Sequence, residues 1–195
     1  MTVKLIPVVE IRFDSSEAPS VDHDTLVPYT SGLDFYRISE LTQSNLVQII
    51  AKHTERSRHA EYSRQEASAL FGGYVLKVKE EDVYFPQCCG DLSDIRYWEQ
   101  LVIAKSPIPG NGHPGPRVMI NKHRIRLDFT VDGLDEKFNP EPPYKFVDIN
   151  KKELEIALVD ARFELATFAN KLNKINEDLM FGLQGIDKLL TGGDN

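Results

Sequence analysis

Cysteine is scarce in this chain. There are two in 195 residues, and they stand side by side as Cys88 and Cys89. Such low usage argues against a framework of structural disulfides and sets the expectation of a reducing, cytoplasmic setting. Long apolar runs are absent too: nothing approaches the ~18 residues that a membrane-spanning helix requires. The opening stretch MTVKLIPVVEIRF has no basic leader, no signal-length apolar core and no small-residue cleavage site, so no targeting segment is expected. Positive charge is in deficit, with 23 Lys and Arg against 30 Asp and Glu and a net charge of −7. A broad nucleic-acid surface needs clustered cations, so this balance argues against nucleic acid and admits a basic protein partner.

Familiar catalytic and cofactor motifs are also missing. His23, His53, His59, His113 and His123 form neither H-x-x-x-H nor H-E-x-x-H. GNGHPG (110–115) matches G-x-G-x-x-G, but a dinucleotide turn follows a strand and opens a helix. This one sits in SPIPGNGHPGPR, with four prolines and three glycines in twelve residues, and leads into a strand-like run. No P-loop, EF-hand or G-x-S-x-G pattern occurs. The expectation is therefore no cofactor and no metal.

The chain does carry alternating and helical apolar patterns, with an apolar fraction of 41% and a charged fraction of 27%. Such a composition suits one domain over residues 1–195. Residues 3–13 read as a strand, with Pro7 placing it at an edge or a bulge. Residues 38–56 read as a helix capped by Ser39 or Thr42, with Ile38, Leu41, Leu46, Ile49, Ile50 and His53 towards one side. Residues 53–70 extend that helix or cross the surface. Tyr74–Val78 and Val83–Phe85 read as a hairpin turning at 80–82, and 117–131 as a second hairpin turning near Asn121 and Lys122. Residues 132–145 read as a loop. The fold class expected is α+β: an antiparallel sheet of hairpins packed against helices.

The segment with most chemistry is PQCCGDLSDIRYW (86–98). Adjacent Cα atoms lie about 3.8 Å apart, below the usual disulfide span of ~4.4–6.8 Å, so a bridge between Cys88 and Cys89 would be strained. Strand alternation would send one cysteine to the core and its neighbour to the opposite face, as small buried residues at a strand end. Asp91 can cap the helix that follows, with Asp94 at N3 and Ser93 as the competing cap. Ile95, Trp98 and Leu101 or Val102 then face the sheet. The competing chemical reading makes Cys88 or Cys89, Asp91, Asp94 and His113 a thiol- or carboxylate-dependent hydrolase site. Nearby carboxylates would raise the thiol pKa values, which weakens it. GGY-V-L followed by PQCCGDLSDIRYW (72–98) resembles a motif of uncharacterised bacterial proteins. That resemblance implies no established activity and no catalytic residue. Small acidic bacterial proteins of this kind include immunity proteins that neutralise toxins.

The last element is the plainest. Asn150 and Glu153 suggest an Asn-led capping box, with Ile149 and Leu154 as a hydrophobic staple. Leu154, Leu158, Ala161, Leu165, Phe168, Leu172, Ile175 and Leu179 then recur at alternating spacings of four and three. This predicts a helix over about 151–181, roughly 45 Å long, with Gly182 in the left-handed position after it. A second row, Ile156, Val159, Phe163 and Ala166, predicts that its first half is buried on more than one side. Its second half offers one stripe, Leu172, Ile175 and Leu179, for another helix, including its copy in a two-fold dimer. Together these features point to a non-catalytic protein-binding protein rather than an enzyme.

Overall fold

A computed structural model of the chain describes residues 2–12, 26–55, 68–106, 112–130 and 136–193. Of the run 53–70, expected to extend the first helix or cross the surface, residues 56–67 lie outside the described residues. The protein is α+β, and its strands are antiparallel throughout. They form two sheets rather than one. The first has the order β2-β1-β3-β4, from β1 (Val3–Glu10), β2 (Phe35–Arg37), β3 (Gly72–Val78) and β4 (Glu81–Tyr84). The second has the order β5-β6-β7, from β5 (Arg117–Ile120), β6 (Arg124–Asp128) and β7 (Phe146–Asn150). The helices are α1 (Gln43–His53), α2 (Ile95–Ile103), α3 (Lys151–Asp178) and α4 (Ile186–Thr191). No helix among the described residues is long and apolar enough to cross a membrane.

β1 is central in its sheet, yet Pro7 fits there. Pro7 and its odd-numbered neighbours turn their backbone polar groups towards β2. The Pro7 carbonyl accepts from Ile38 N at 3.2 Å, just where β2 has ended. The missing N–H therefore removes no bond from the ladder with β3. The hairpin β3–β4 turns at Lys79 and Glu80, one residue earlier than expected. Both have positive φ, 53° and 66°, as a tight two-residue turn requires. Glu81 and Asp82 belong to β4. In the second hairpin, Asn121 Oδ1 accepts from His123 N and Arg124 N, at 3.0 and 2.7 Å, and so closes the turn with its own side chain.

α1 starts at Gln43, after a capping box between Thr42 and Asn45. Ile38 and Leu41 are buried but precede the helix. Asn150 caps α3, its side chain accepting from Lys152 N at 2.9 Å. At the other end Met180 takes the left-handed position directly after the cap, with φ 51°, and Gly182 two residues on is left-handed as expected, with φ 70°. Met180 N donates to Glu177 O and Phe181 N to Asn176 O, both at 3.2 Å, the paired bonds of a Schellman stop.

α3 is the pillar of the fold. It packs on β1 and is flanked by α2, α1 and α4. Its buried face is Leu154, Ala157, Leu158, Ala161, Phe168, Leu172 and Ile175. The chain then turns back, held by Asn176, whose amide donates to Leu183 O at 2.7 Å and accepts from Leu183 N at 3.1 Å. Leu183, Ile186 and Leu190 enter the same core as Leu172 and Ile175. Two expectations are corrected here. The stripe Leu172–Ile175 is covered by the chain's own tail, and only Leu179 stays partly open, at 47% exposure. The second row is not buried at all: Ile156, Val159 and Phe163 are 64%, 69% and 75% exposed, and Ala166 is exposed. Ile156 lies two residues beyond Leu154, about 200° around the helix. A sheet on one side cannot cover both rows.

Candidate functional site

The cysteine segment is a corner built by close backbone approach. Gly72 N donates to Gly90 O at 2.9 Å, and Phe71 bridges Asp91. A Cβ on Gly72 would fall 2.2 Å from Val8 O, and one on Gly90 2.7 Å from Gly72 O. Any larger residue at either position would push the β1–β3 ladder off the corner. This is the physical content of the pairing between the GGY and CCGD segments. Asp91 Oδ1 accepts from Ser93 N at 2.6 Å, and Asp94 Oδ2 accepts from Asp91 N at 3.2 Å. The two carboxylates thus form a capping box around the short 3-10 turn Leu92–Asp94, which runs on into α2. Trp98 of α2 is buried against the Tyr84 ring of β4, with centroids 6.4 Å apart. Tyr74 OH closes the corner from beneath, donating to Leu92 O at 2.8 Å.

The cysteines do not behave as strand residues. Neither is in the core; both are exposed. Cys89 has φ 68°, so its side chain swings round to the side of Cys88, and the two Sγ atoms lie 3.2 Å apart. The backbone of Cys88 forms an isolated antiparallel β-bridge with that of His113. Both line a polar groove of about 320 Å³ that also includes Glu10, Arg12, Asp34 and Lys137. The hydrogen bond with Cys89 is the main reason the Cys88 thiol is raised above its ordinary pKa, followed by the neighbouring Cys89 charge, while Arg12 pulls the other way. A raised thiol is mostly protonated at neutral pH and is a weak nucleophile. Among the described residues no hydrogen bond joins Cys88 Sγ to His113. The five residues of the hydrolase reading therefore divide. Cys88 and His113 share the groove, Cys89 stands beside it, and Asp91 and Asp94 are engaged in the turn. No group of three metal-binding side chains converges among the described residues.

A larger groove of about 820 Å³ lies elsewhere, along β1. β2 pairs with β1 only at Val8, Val9 and Glu10. From Val3 to Ile6, no described strand stands on that side. Val3 and Leu5, in phase with Pro7, turn their N–H and C=O groups into this gap. The opposite wall is α3, presenting Ala157, Val159, Asp160, Phe163 and Glu164. Most charges at the rim are already neutralised. Lys4 pairs with Glu80 at 2.9 Å, Arg37 with Glu164 at 2.7 Å, and Lys77 with Asp82 at 3.0 Å. Tyr29 OH donates to Asp82 at 2.8 Å, and burial with this bond raises the phenol above its ordinary pKa. Asp160 enters no ion pair among the described residues. Nothing in the linear sequence marked this groove, because its edge exists only through the shortness of a non-local strand pairing. The row Ile156–Val159–Phe163 is visible in the sequence as an apolar row, but its period alone does not tell a groove wall from a core face. Comparison of the chain with known protein families, with characterised proteins and with solved structures returns no match.

Proposed function

We propose that this is a non-catalytic protein-binding protein, and that the groove between β1 and α3 receives an extended segment of a partner protein. The observation that carries this reading is a strand edge, unpaired among the described residues, set directly beside an exposed apolar helix face. A strand edge offers main-chain hydrogen bonds to an added strand, and side-chain pockets along it select alternate residues. Three large apolar side chains exposed in one row on a helix form the kind of patch that marks an interaction site. The groove also states the partner's chemistry. Among the described residues its rim charges are paired except for Asp160, so the occupant is an apolar strand carrying one basic residue. This agrees with the net charge of −7.

The test is selection from displayed random peptides against the wild type, with counter-selection against a Val159→Glu/Phe163→Glu double variant. Selected peptides should alternate apolar residues, carry a Lys or Arg, and protect the Val3 and Leu5 amides from hydrogen exchange. Peptides that bind the double variant equally well, or leave those amides unprotected, would remove the groove as the docking site. Sedimentation alongside distinguishes a second copy: a dimer dissolved by the same double variant would make the chain itself the occupant.

The groove shared by Cys88 and His113 favours a second, weaker reading as a thiol enzyme. Alkylation by iodoacetamide checks it. A thiol reacting no faster than a free cysteine at pH 7 sets that reading aside.

A further inference from the structure

We propose that Cys88 and Cys89 form a preorganised dithiol that chelates trivalent arsenic or antimony compounds. The inference is independent of the β1–α3 groove. Adjacent cysteines in extended chain would point apart. Here the left-handed backbone at Cys89, φ 68°, brings both sulfurs to one side, 3.2 Å apart and open to solvent. The corner holds them there. Gly90 O accepts from Gly72 N at 2.9 Å, and the backbone of Cys88 forms a β-bridge with that of His113.

That separation favours one chemistry over another. A disulfide would need the sulfurs to close to about 2.05 Å and would force the chain into a small strained ring. A trivalent arsenic centre instead inserts between them. Its two bonds to sulfur stand near a right angle, so the sulfurs stay close to where the fold already holds them, in a ring one atom larger. Thiolate sulfur is the soft donor that such centres prefer. With an arsine oxide, each thiol gives up its proton, the arsenic–oxygen bond breaks, and two arsenic–sulfur bonds form. The oxygen leaves as water with both protons, and nothing is oxidised or reduced.

The experiment uses phenylarsine oxide and intact mass spectrometry of the native protein in excess monothiol. The wild type should carry one phenylarsenic group, released by a small dithiol. Cys88→Ser and Cys89→Ser should each lose the monothiol-resistant adduct while keeping the wild-type melting curve, since both side chains are exposed. The fold's own contribution is read by repeating the titration on urea-unfolded wild type, which keeps the same adjacent thiols. Native protein should bind about tenfold more tightly or better, because the geometry is set beforehand. Three results would overturn the proposal: no adduct on the native protein, a monothiol-resistant adduct on a single-cysteine variant, or equal affinity in native and unfolded chains. Should a serine variant fail to fold, the native-against-unfolded comparison still decides.

Discussion

Asp91 carries little chemistry and much geometry. Its carboxylate accepts from Ser93 N while Asp94 reaches back to Asp91 N. Asn offers the same acceptor, whereas Ala offers none. Asp91→Ala should cost about 1 kcal/mol in urea unfolding and Asp91→Asn clearly less. Equal stability of wild type and Asp91→Ala would show that the cap does not hold the corner. Met180 poses the opposite case. It is 89% exposed, with φ 51°, so it makes little packing contact while occupying a conformation that suits glycine. Met180→Gly should stabilise the protein by roughly 0.5–1 kcal/mol, visible as a raised melting temperature. A lowered melting temperature would mean that the Met180 side chain contributes more than its exposure indicates.

The two apolar rows of α3 differ only in which one meets the chain's own core. Leu172→Ala should cost ~2–5 kcal/mol, as for a buried leucine. Phe163→Ala should change stability by no more than about 0.5 kcal/mol, as for a surface position. Urea midpoints of the two variants separate the covered face from the open one; similar losses would mean that the second row is covered after all. The helix was legible because its 3.6-residue period is local. Which row faces inward was not, because that depends on a sheet lying on one side only. β2 is three residues long and exists through its pairing with β1, so nothing in Phe35–Arg37 announces it. β7 follows a proline-rich loop and runs directly into the Asn150 cap, which concealed it. α4 is a six-residue helix held by docking on α3. The corner at 90–94 was legible through its Asp–x–x–Asp cap. The exposure of the cysteines was not, since strand alternation fails wherever a residue such as Cys89 takes a positive φ.

At the scale of the whole molecule, the two sheets meet through aromatic side chains, and this gives the protein an alkaline limit. Tyr84 of β4 stacks on Phe129, which follows β6, with centroids 5.6 Å apart, and meets Phe138 edge-on at 6.2 Å. Burial raises the phenol pKa of Tyr84, of Tyr74 beneath the corner, and of Tyr29 at the β1 groove. Folded values above the unfolded value of about 10 mean that the folded chain holds these protons longer. Their contribution is complete below that pH and is lost as pH rises from the unfolded value towards the folded one. The two deeply buried phenols, Tyr74 and Tyr84, each add up to about 1.4 kcal/mol per pH unit to the fall in stability over that window, and the more exposed Tyr29 adds less. Tyr74→Phe should cost about 1 kcal/mol at pH 8, through loss of the bond to Leu92 O. Above pH ~10 it should lose stability less steeply than the wild type, by close to one phenol's share. Urea unfolding at intervals from pH 8 to about 11 reads both quantities. Parallel curves across the whole range would mean that Tyr74 ionises in the folded protein as it does in the unfolded chain, and that the core beneath the corner is open to water.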